Sequence, residues 1–389
     1  MDIIYGYSNC TDKKYNEIFS GKSVAVLQPD QKYHGLLIKG LAENGANVYC
    51  YSGLPLNRNV TKKLFIHEPD EQEGNAHFHY YRTFNLPVLR QLMIMQGAKK
   101  AVKKHKSKDK TVIICDCLNR SNAIGMLKAG KKRKIPVIMI VTDIPDFQFD
   151  EKGAEKCNQM LEEADGFIFL TEQMNARLNK HNKPYIVLEG HSDASLPAVD
   201  TTERYERAEG KKVILYAGSL LRLYGIQNLV EGFLEAKVPD TELWIYGDGD
   251  YREELETIAK EQPSVQYKGV RPNAEIVYAE QRAALLVNPR PSAPEYTKYS
   301  FPSKNMEYMV SGTPVLTTKL PGMPTEYYPH VYLLEEETPR GISEKLQEIF
   351  KAPIEFREEK GLAAREFVLS CKTNVAQAKK IIEFMQEKY

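Results

Sequence analysis

Short unbroken apolar runs recur along the chain, each followed by polar residues and then by a longer mixed segment. The runs lack the alternation of a half-exposed strand and are too short for helices. They read as buried strands of a parallel sheet: 23–27 (SVAVL), 111–115 (TVIIC), 137–141 (VIMIV), 166–170 (GFIFL) and 185–188 (YIVL). Residues 48–51 and 77–82 add two more strands, whereas 1–22 are polar and receive no element. Residues 28–35 (QPDQKYHG) read as a loop, 36–43 as a short helix stopped near Gly45, and 86–105 as a long helix. Polar, turn-rich residues 190–210 read as a linker. The pattern then restarts. Strands are expected at 212–217, 242–246, 266–270, 283–287 and 315–318, and helices at 226–236, 251–260, 305–310, 341–351, 356–369 and 374–387. Alternating strand and helix predicts parallel α/β architecture. A chain of 389 residues fits two such domains.

The stretch 299–318 (YSFPSKNMEYMVSGTPVLTT) has the most to say about chemistry. Pro302 suits a first helical turn, Gly312 a helix stop, and residues 315–318 a strand. A helix N-terminus at Ser303 would offer unpaired N–H groups and partial positive charge to a phosphate. Lys304 would add a full charge, and Glu307 a carboxylate within reach of ribose hydroxyls. An ordinary loop-helix-strand unit accounts for the same residues.

That stretch resembles the nucleotide-sugar signature of the glycosyl transferases group 1 family, retaining enzymes of the GT-B fold. The resemblance covers nearly the whole chain and is most specific over 211–330. It implies two Rossmann-like parallel-sheet domains facing a cleft. Residues 1–190 would bind the acceptor and 211–370 the nucleotide-diphosphate sugar, with a helix in 371–389 crossing back to the first domain. Glu307 fits the family's ribose-binding glutamate. A second glutamate, eight positions upstream in many members, is Tyr299 here. The loop after the strand at 212–217 would hold the diphosphate through two basic residues; Ser219 and Tyr224 stand at those places. Gly218, Ser219 and Gly247 are carried over as donor-binding, with Arg222 as a substitute cation. Val270 and Arg271 would meet the donor base, and Arg290 would add charge near the diphosphate. The acceptor side would draw on Tyr33 and His34 in the first half, and on Asp116 and Asn119 after the 111–115 strand. The family's acceptor-side histidine corresponds to Asp143 or Thr142, and Asp143 reads equally as a turn or N-cap residue. Asp143 and Lys304 are the catalytic candidates.

Bulk composition narrows the alternatives. Net charge is +1, so no global field points to nucleic acid. The loop at 28–35 lacks GxGxxG, which disfavours a dinucleotide oxidoreductase. The six cysteines form no CxxC pair and read as buried reduced thiols rather than metal ligands. Asp248 and Asp250 form a DxD pattern that metal-dependent glycosyltransferases use; a tight strand-to-helix turn, where Gly and Asp are expected, is the preferred reading, and no metal or cofactor is expected. No signal segment or membrane-spanning run is recognised, so a cytoplasmic enzyme is expected. Lysine clusters at 99–110 and 131–134 read as solvated helix ends or as a peripheral contact with an anionic inner-membrane face. The expected reaction is metal-independent retaining transfer of a sugar to a glycan or lipid-linked acceptor, in bacterial surface polysaccharide synthesis. The missing glutamate and missing loop cations keep open a catalytically silent, partner-binding homologue, and an epimerase on the same fold is a further rival.

Overall fold

The computed structural model describes residues 1–19, 28–56, 58, 60–195 and 199–389; the 23–27 run lies outside them. Contacts divide the chain into two units, Met1–Ala194 with Thr373–Tyr389, and Ser195–Lys372.

Unit 1 opens with β1 (Asp2–Gly6), α1 (Asp12–Phe19), α2 (Gln28–Glu43) and β2 (Asn47–Ser52). Four short strands follow: β3 (Phe65–Ile66), β4 (Glu71–Glu73), β5 (Ala76–Tyr80) and β6 (Thr83–Phe84). Then come α3 (Pro87–Lys104), β7 (Thr111–Asp116), α4 (Arg120–Arg133) and β8 (Val137–Val141). The unit continues through α5 (Pro145–Gln148), α6 (Glu151–Glu163), β9 (Gly166–Phe169), α7 (Glu172–Leu178) and β10 (Tyr185–Val187). Eight strands form one sheet in the order β10-β9-β8-β7-β1-β2-β5-β4, parallel except for β4 against β5. β3 and β6 pair antiparallel as a separate ribbon.

Two sequence expectations need correction here. Within the stretch 1–22, which received no element, residues 2–6 form β1, which lies mid-sheet, in register with both β2 and β7. Ile3, Ile4 and Tyr5 are fully buried, as in a parallel strand covered on both faces. The charge that disguised it, Asp2, is buried too; it accepts from Asn47 Nδ2 at 3.0 Å and faces His105 Nε2 at 3.1 Å. Residues 28–35 are not a loop but the first turns of α2. Their polar groups are spent internally: Gln31 donates to the Cys10 carbonyl at 2.6 Å and accepts from the Cys10 amide at 3.2 Å.

Unit 2 contains α8 (Tyr205–Glu209), β11 (Lys212–Ala217), α9 (Ile226–Ala236), β12 (Thr241–Tyr246) and α10 (Arg252–Glu261). Next are β13 (Val265–Gly269), α11 (Asn273–Arg282), β14 (Leu285–Asn288) and α12 (Ser303–Val310). β15 (Val315–Thr318), β16 (Tyr332–Leu334), α13 (Pro339–Lys351) and α14 (Ile354–Cys371) complete it. Its six strands are all parallel, ordered β13-β12-β11-β14-β15-β16. The expected linker is largely part of this unit. Arg204 is buried and donates to the carbonyls of Ala283 (3.0 Å) and Gly312 (2.7 Å) and to the Thr313 hydroxyl (3.0 Å). Arg207 binds both Glu358 oxygens, and Arg357 both Glu206 oxygens. The charges that suggested a solvated linker are ion-paired docking groups, and bidentate arginines of this kind fix geometry.

The last helix, α15 (Asn374–Lys388), packs on α2 in unit 1. Asn374 donates to the Leu36 carbonyl at 3.1 Å, and Asn44 to that of Val375 at 2.9 Å. Gly40 makes the approach possible, since a Cβ there would stand 2.2 Å from the Asn374 carbonyl oxygen.

Candidate functional site

In an open parallel sheet, ligands gather at the carboxyl edge where the strand order reverses. In unit 2 that place is between β11 and β14, because the chain leaves β11 toward β12 and later returns on the other side at β14. Three glycines shape the edge. Gly218 N donates to the Tyr246 carbonyl at 3.0 Å, and Gly247 N to that of Gly269 at 3.0 Å. Gly247 has φ +132°, and a Cβ on it would stand 1.8 Å from the Gly218 carbonyl oxygen. No other residue fits there. The loops after β11, β12 and β13 are thereby stitched side by side, with Val270 fully open to solvent at 72 % exposure. Arg271 donates to the Lys268 carbonyl at 2.8 Å and lies 3.7 Å from Glu275.

Helix α12 is fixed to this edge by Tyr308. Its hydroxyl accepts from the Ala217 amide at 2.9 Å and faces the Ala217 carbonyl at 3.3 Å. Burial pushes this phenol well above its ordinary range, so it remains a hydroxyl. Asn305 adds a buried chain, accepting from Asn288 (2.7 Å) and donating to Thr317 (3.0 Å). One turn before Tyr308, Lys304 lies on the same helix face. Its Cε comes 3.6 Å from where a Gly218 Cβ would be. Lys304 Nζ is 3.6 Å from Glu307 Oε2, and both side chains are partly exposed. Ser303 is the first residue of the helix and exposed. The structure thus brings Gly218, Gly247, Ser303, Lys304 and Glu307 to one edge.

The two arginines differ. Arg222 is exposed and turned to α10, with Nη2 2.5 Å from Glu254 and Nη1 2.9 Å from Gln227. Its guanidinium lies over Tyr251, 4.9 Å from the ring centre. Arg290 sits between the rings of Tyr224 and Tyr296, 5.0 Å from each centre. Gly225, at φ +78°, lets this loop meet the segment after β14; a Cβ there would be 2.2 Å from the Pro289 carbonyl oxygen. Tyr224, standing where a cation was expected, therefore carries Arg290 on its ring. Arg290 Nε and the Ser300 hydroxyl are shielded from solvent with no hydrogen-bond partner among the described residues. Ser219 is exposed, and its carbonyl accepts from the Tyr216 hydroxyl at 2.8 Å. The DxD carboxylates serve the turn: Asp248 accepts from the Gly249 amide at 3.0 Å and Asp250 from the Arg222 amide at 2.8 Å. Among the described residues no group of three His, Cys, Asp or Glu side chains could hold a metal ion.

In unit 1 the corresponding edge lies between β1 and β7. Asp116 ends β7 and is buried; its Oδ1 accepts from the Leu118 amide at 2.7 Å. Its Oδ2 lies 3.5 Å from His34 Nε2. His34 Nδ1 is 2.6 Å from the Tyr5 hydroxyl, and Tyr7 stacks on the imidazole at 3.5 Å. Tyr33 crosses the His34 ring edge-on, 5.1 Å between centres, and its carbonyl binds His191 Nε2 at 2.8 Å. Asn119 donates to the Ser8 hydroxyl at 2.8 Å, joining the two strand ends. Asp143 follows β8 at the same edge. Burial pushes the Tyr7 phenol far up, reinforced by the charges of Asp116, Asp30 and Asp143. Burial also holds the His191 imidazole down to about 4. The candidates Tyr33, His34, Asp116 and Asn119 come together. Tyr5, Tyr7 and Ser8 were missed because their strand was missed. The run DIIYGYS was the available signal: apolar residues closing on a glycine, then polar ones.

Two parallel α/β units, each gathering polar groups at a carboxyl edge, have the GT-B architecture. Residues 200–367 match the model of the family described as Glycosyl transferases group 1. That span takes in most of unit 2. No curated protein matches the chain. Among solved structures, sucrose-phosphate synthase from Thermosynechococcus elongatus is similar at 15% identity and TM-score 0.70, covering 100% of this chain and 98% of that one. HepE from Anabaena, in complex with UDP, is similar at 15% identity and TM-score 0.67, with both chains fully covered at 100%. The lipopolysaccharide outer core galactosyltransferase WaaB is similar at 15% identity and TM-score 0.62, again at 100% of both chains. At such identities the likeness carries the fold.

Proposed function

We propose that this glycosyltransferase moves a sugar, with retention, from a nucleotide-diphosphate sugar held on unit 2 to a glycan or lipid-linked acceptor that meets unit 1. The carrying observation is the placement of Lys304 at the start of α12 against Gly218. As the glycosidic bond breaks, positive charge grows on the sugar ring and negative charge on the departing diphosphate. A helix N-terminus with a lysine beside it answers the second charge without reorganising. Arg290, clamped by two rings, is the second cation in this reading. Glu307 accepts from the ribose hydroxyls, and the exposed backbone at Val270 and Arg271 meets the base. Asp143, with Asn119, His34 and Asp116 behind it, is the acceptor-side group of unit 1. HepE has been solved with UDP-glucose, which supports a donor of this kind. Transfer is metal-independent in this reading, and the setting is cytoplasmic synthesis of a bacterial surface polysaccharide, with the lysine clusters drawn to an anionic membrane face.

The test is a screen of nucleotide sugars by thermal shift. Transfer is then followed by NMR of the product anomer in the presence of excess EDTA. Retained anomeric configuration and undiminished turnover are expected. An inverted product, or loss of turnover restored by Mn²⁺, would overturn the respective part. Donor binding without transfer or hydrolysis would favour the silent homologue.

A further inference from the structure

Among the described residues, fourteen large apolar side chains are exposed, and seven of them lie between Leu64 and Leu92. They come from two elements. On α3, Val88 (74 % exposed), Leu89 (40 %) and Leu92 (50 %) face solvent in the first turns. On the β3–β6 ribbon, Phe65 and Phe84 stand opposite each other with ring centres 5.3 Å apart, both exposed, beside Leu64. The Phe84 amide donates to Met93 Sδ at 3.5 Å, which ties the ribbon to the helix. The exposed apolar groups thus lie on two adjoining elements, a concentration that scattered surface leucines do not make.

The charge of α3 and β6 is one-sided, and the carboxylates that follow β3 are engaged elsewhere, Glu68 by Lys14, Asp70 by His79 and Glu71 by Thr11 and Tyr80. Residues 75–108 hold eight Lys and Arg and no Asp or Glu, in a chain whose net charge is +1. At helical spacing Val88, Leu92, Gln96, Lys100 and Lys103 fall on one stripe of α3, so the solvent face runs from apolar to basic. Lys62, Lys63 and Arg82 are exposed on the ribbon side. The second lysine cluster joins the basic end. α4 runs alongside α3, with Gly125 against the Met95 carbonyl, and Arg133 donates to the carbonyls of Val102 (2.5 Å) and His105 (2.6 Å). Two separate runs in sequence are therefore one surface.

We infer that this face of unit 1, the β3–β6 ribbon with the outer side of α3, is a docking surface for an anionic phospholipid bilayer, the apolar end entering the interface and the lysines meeting headgroups. An 18-residue helix is about 27 Å long, so one lying in the interface presents both ends at once. Lysines alone would suit any polyanion; aliphatic and aromatic groups laid beside them suit a lipid surface. No helix among the described residues is long and apolar enough to cross a membrane, so the contact is peripheral. The inference deepens the membrane part of the proposed function and is independent of glycosyl transfer.

The full chain is tested by co-sedimentation with vesicles of phosphatidylcholine alone and of phosphatidylcholine mixed equally with phosphatidylglycerol. Binding is expected only to the anionic vesicles, falling as salt shortens the range of the charges. V88S/L92S should weaken binding about 10-fold or more, at about 0.8 kcal/mol per buried CH₂. K100E/K103E should weaken it at least as much. All four residues are exposed, so both variants should melt with the parent. In L92W, indole emission should shift to the blue on anionic vesicles. Equal partition to neutral and anionic vesicles would overturn the inference. So would V88S/L92S binding like the parent, which would leave lysines acting alone. A parent dimer in sedimentation velocity that V88S/L92S dissociates would assign the patch to a second copy instead. Donor binding and transfer in solution should be unchanged in all variants, which separates this outcome from failure of the glycosyltransferase reading.

Discussion

The carboxyl edges of the two sheets are built on different principles. In unit 2 the edge is mostly backbone: glycines at 218 and 247 let loops touch, and a helix N-terminus supplies fixed dipoles. Side chains there, Lys304 and Glu307, are partly exposed. In unit 1 the edge is mostly side chain: Tyr5, Tyr7, His34 and Asp116 form a buried, stacked set. A backbone edge suits a ligand with constant parts, such as a diphosphate and a ribose. A side-chain edge can be varied residue by residue, as recognition of a variable acceptor requires. The difference also separates function from stability. Lys304 and Glu307 can be cut back without opening the core, whereas Tyr5, His34 and Asp116 are themselves buried in it.

Lys304→Ala should break the comparison most sharply. A cation facing charge that grows in the transition state acts on kcat more than on KM. Loss on the order of 10²-fold in kcat is expected, with an unchanged melting temperature. Arg222→Ala should stay within a few-fold of the parent, because Glu254 and Gln227 already hold that guanidinium. Steady-state donor kinetics on both variants decide the matter; equal losses would return Arg222 to the diphosphate.

His34→Ala should instead destabilise unit 1. It removes the ring that Tyr7 stacks on and leaves the buried Tyr5 hydroxyl without its hydrogen bond. About 2 kcal/mol is expected in urea unfolding. A variant as stable as the parent would mean that the edge is looser than its distances imply.

Glu307→Ala sharpens the unit 2 side. A hydrogen bond to a charged group is worth about 1.5–3 kcal/mol, so donor affinity should fall about 10-fold or more. Calorimetric titration measures it, and parent-like affinity would remove Glu307 from the donor site.

The smallest effect is on pH dependence. His191 is held down to about 4 from an ordinary 6.5. Between those values the unfolded chain binds more protons than the folded one, so stability is intact above 6.5 and lost as pH falls toward 4. His191→Gln should flatten the fall in melting temperature between pH 7 and 5. A slope identical to the parent's would assign the acid sensitivity elsewhere, with His330, also held low by burial, the next to test.

What was legible in the sequence was what is local. Runs such as VIMIV and KVILYA declare buried strands by composition alone, and the FPSKNMEYMVSGTPVLTT stretch declares its helix through Pro302 and Gly312. Lys304 and Glu307 lie within one turn of each other, so their neighbourhood needs no tertiary information. β1 was not legible, because Asp2 finds its polar partners in Asn47 and His105, residues 45 and 103 positions away. The charged stretch around Arg204 misled for the same reason, since its partners Gly312 and Glu358 are distant in sequence.

By itself, then, the sequence determined the alternation of elements, the two-sheet class and the turn that opens the helix at Ser303, because periodicity and turn chemistry act over a few residues. Only the tertiary structure decided which charges are spent inside the protein. It sent Arg222 to Glu254 and brought Arg290 onto Tyr224. It also gathered His34, Asp116 and Tyr7 from three distant segments and merged two lysine runs into one face. A charge is assigned to its role by its neighbours in space, and those neighbours are set by packing.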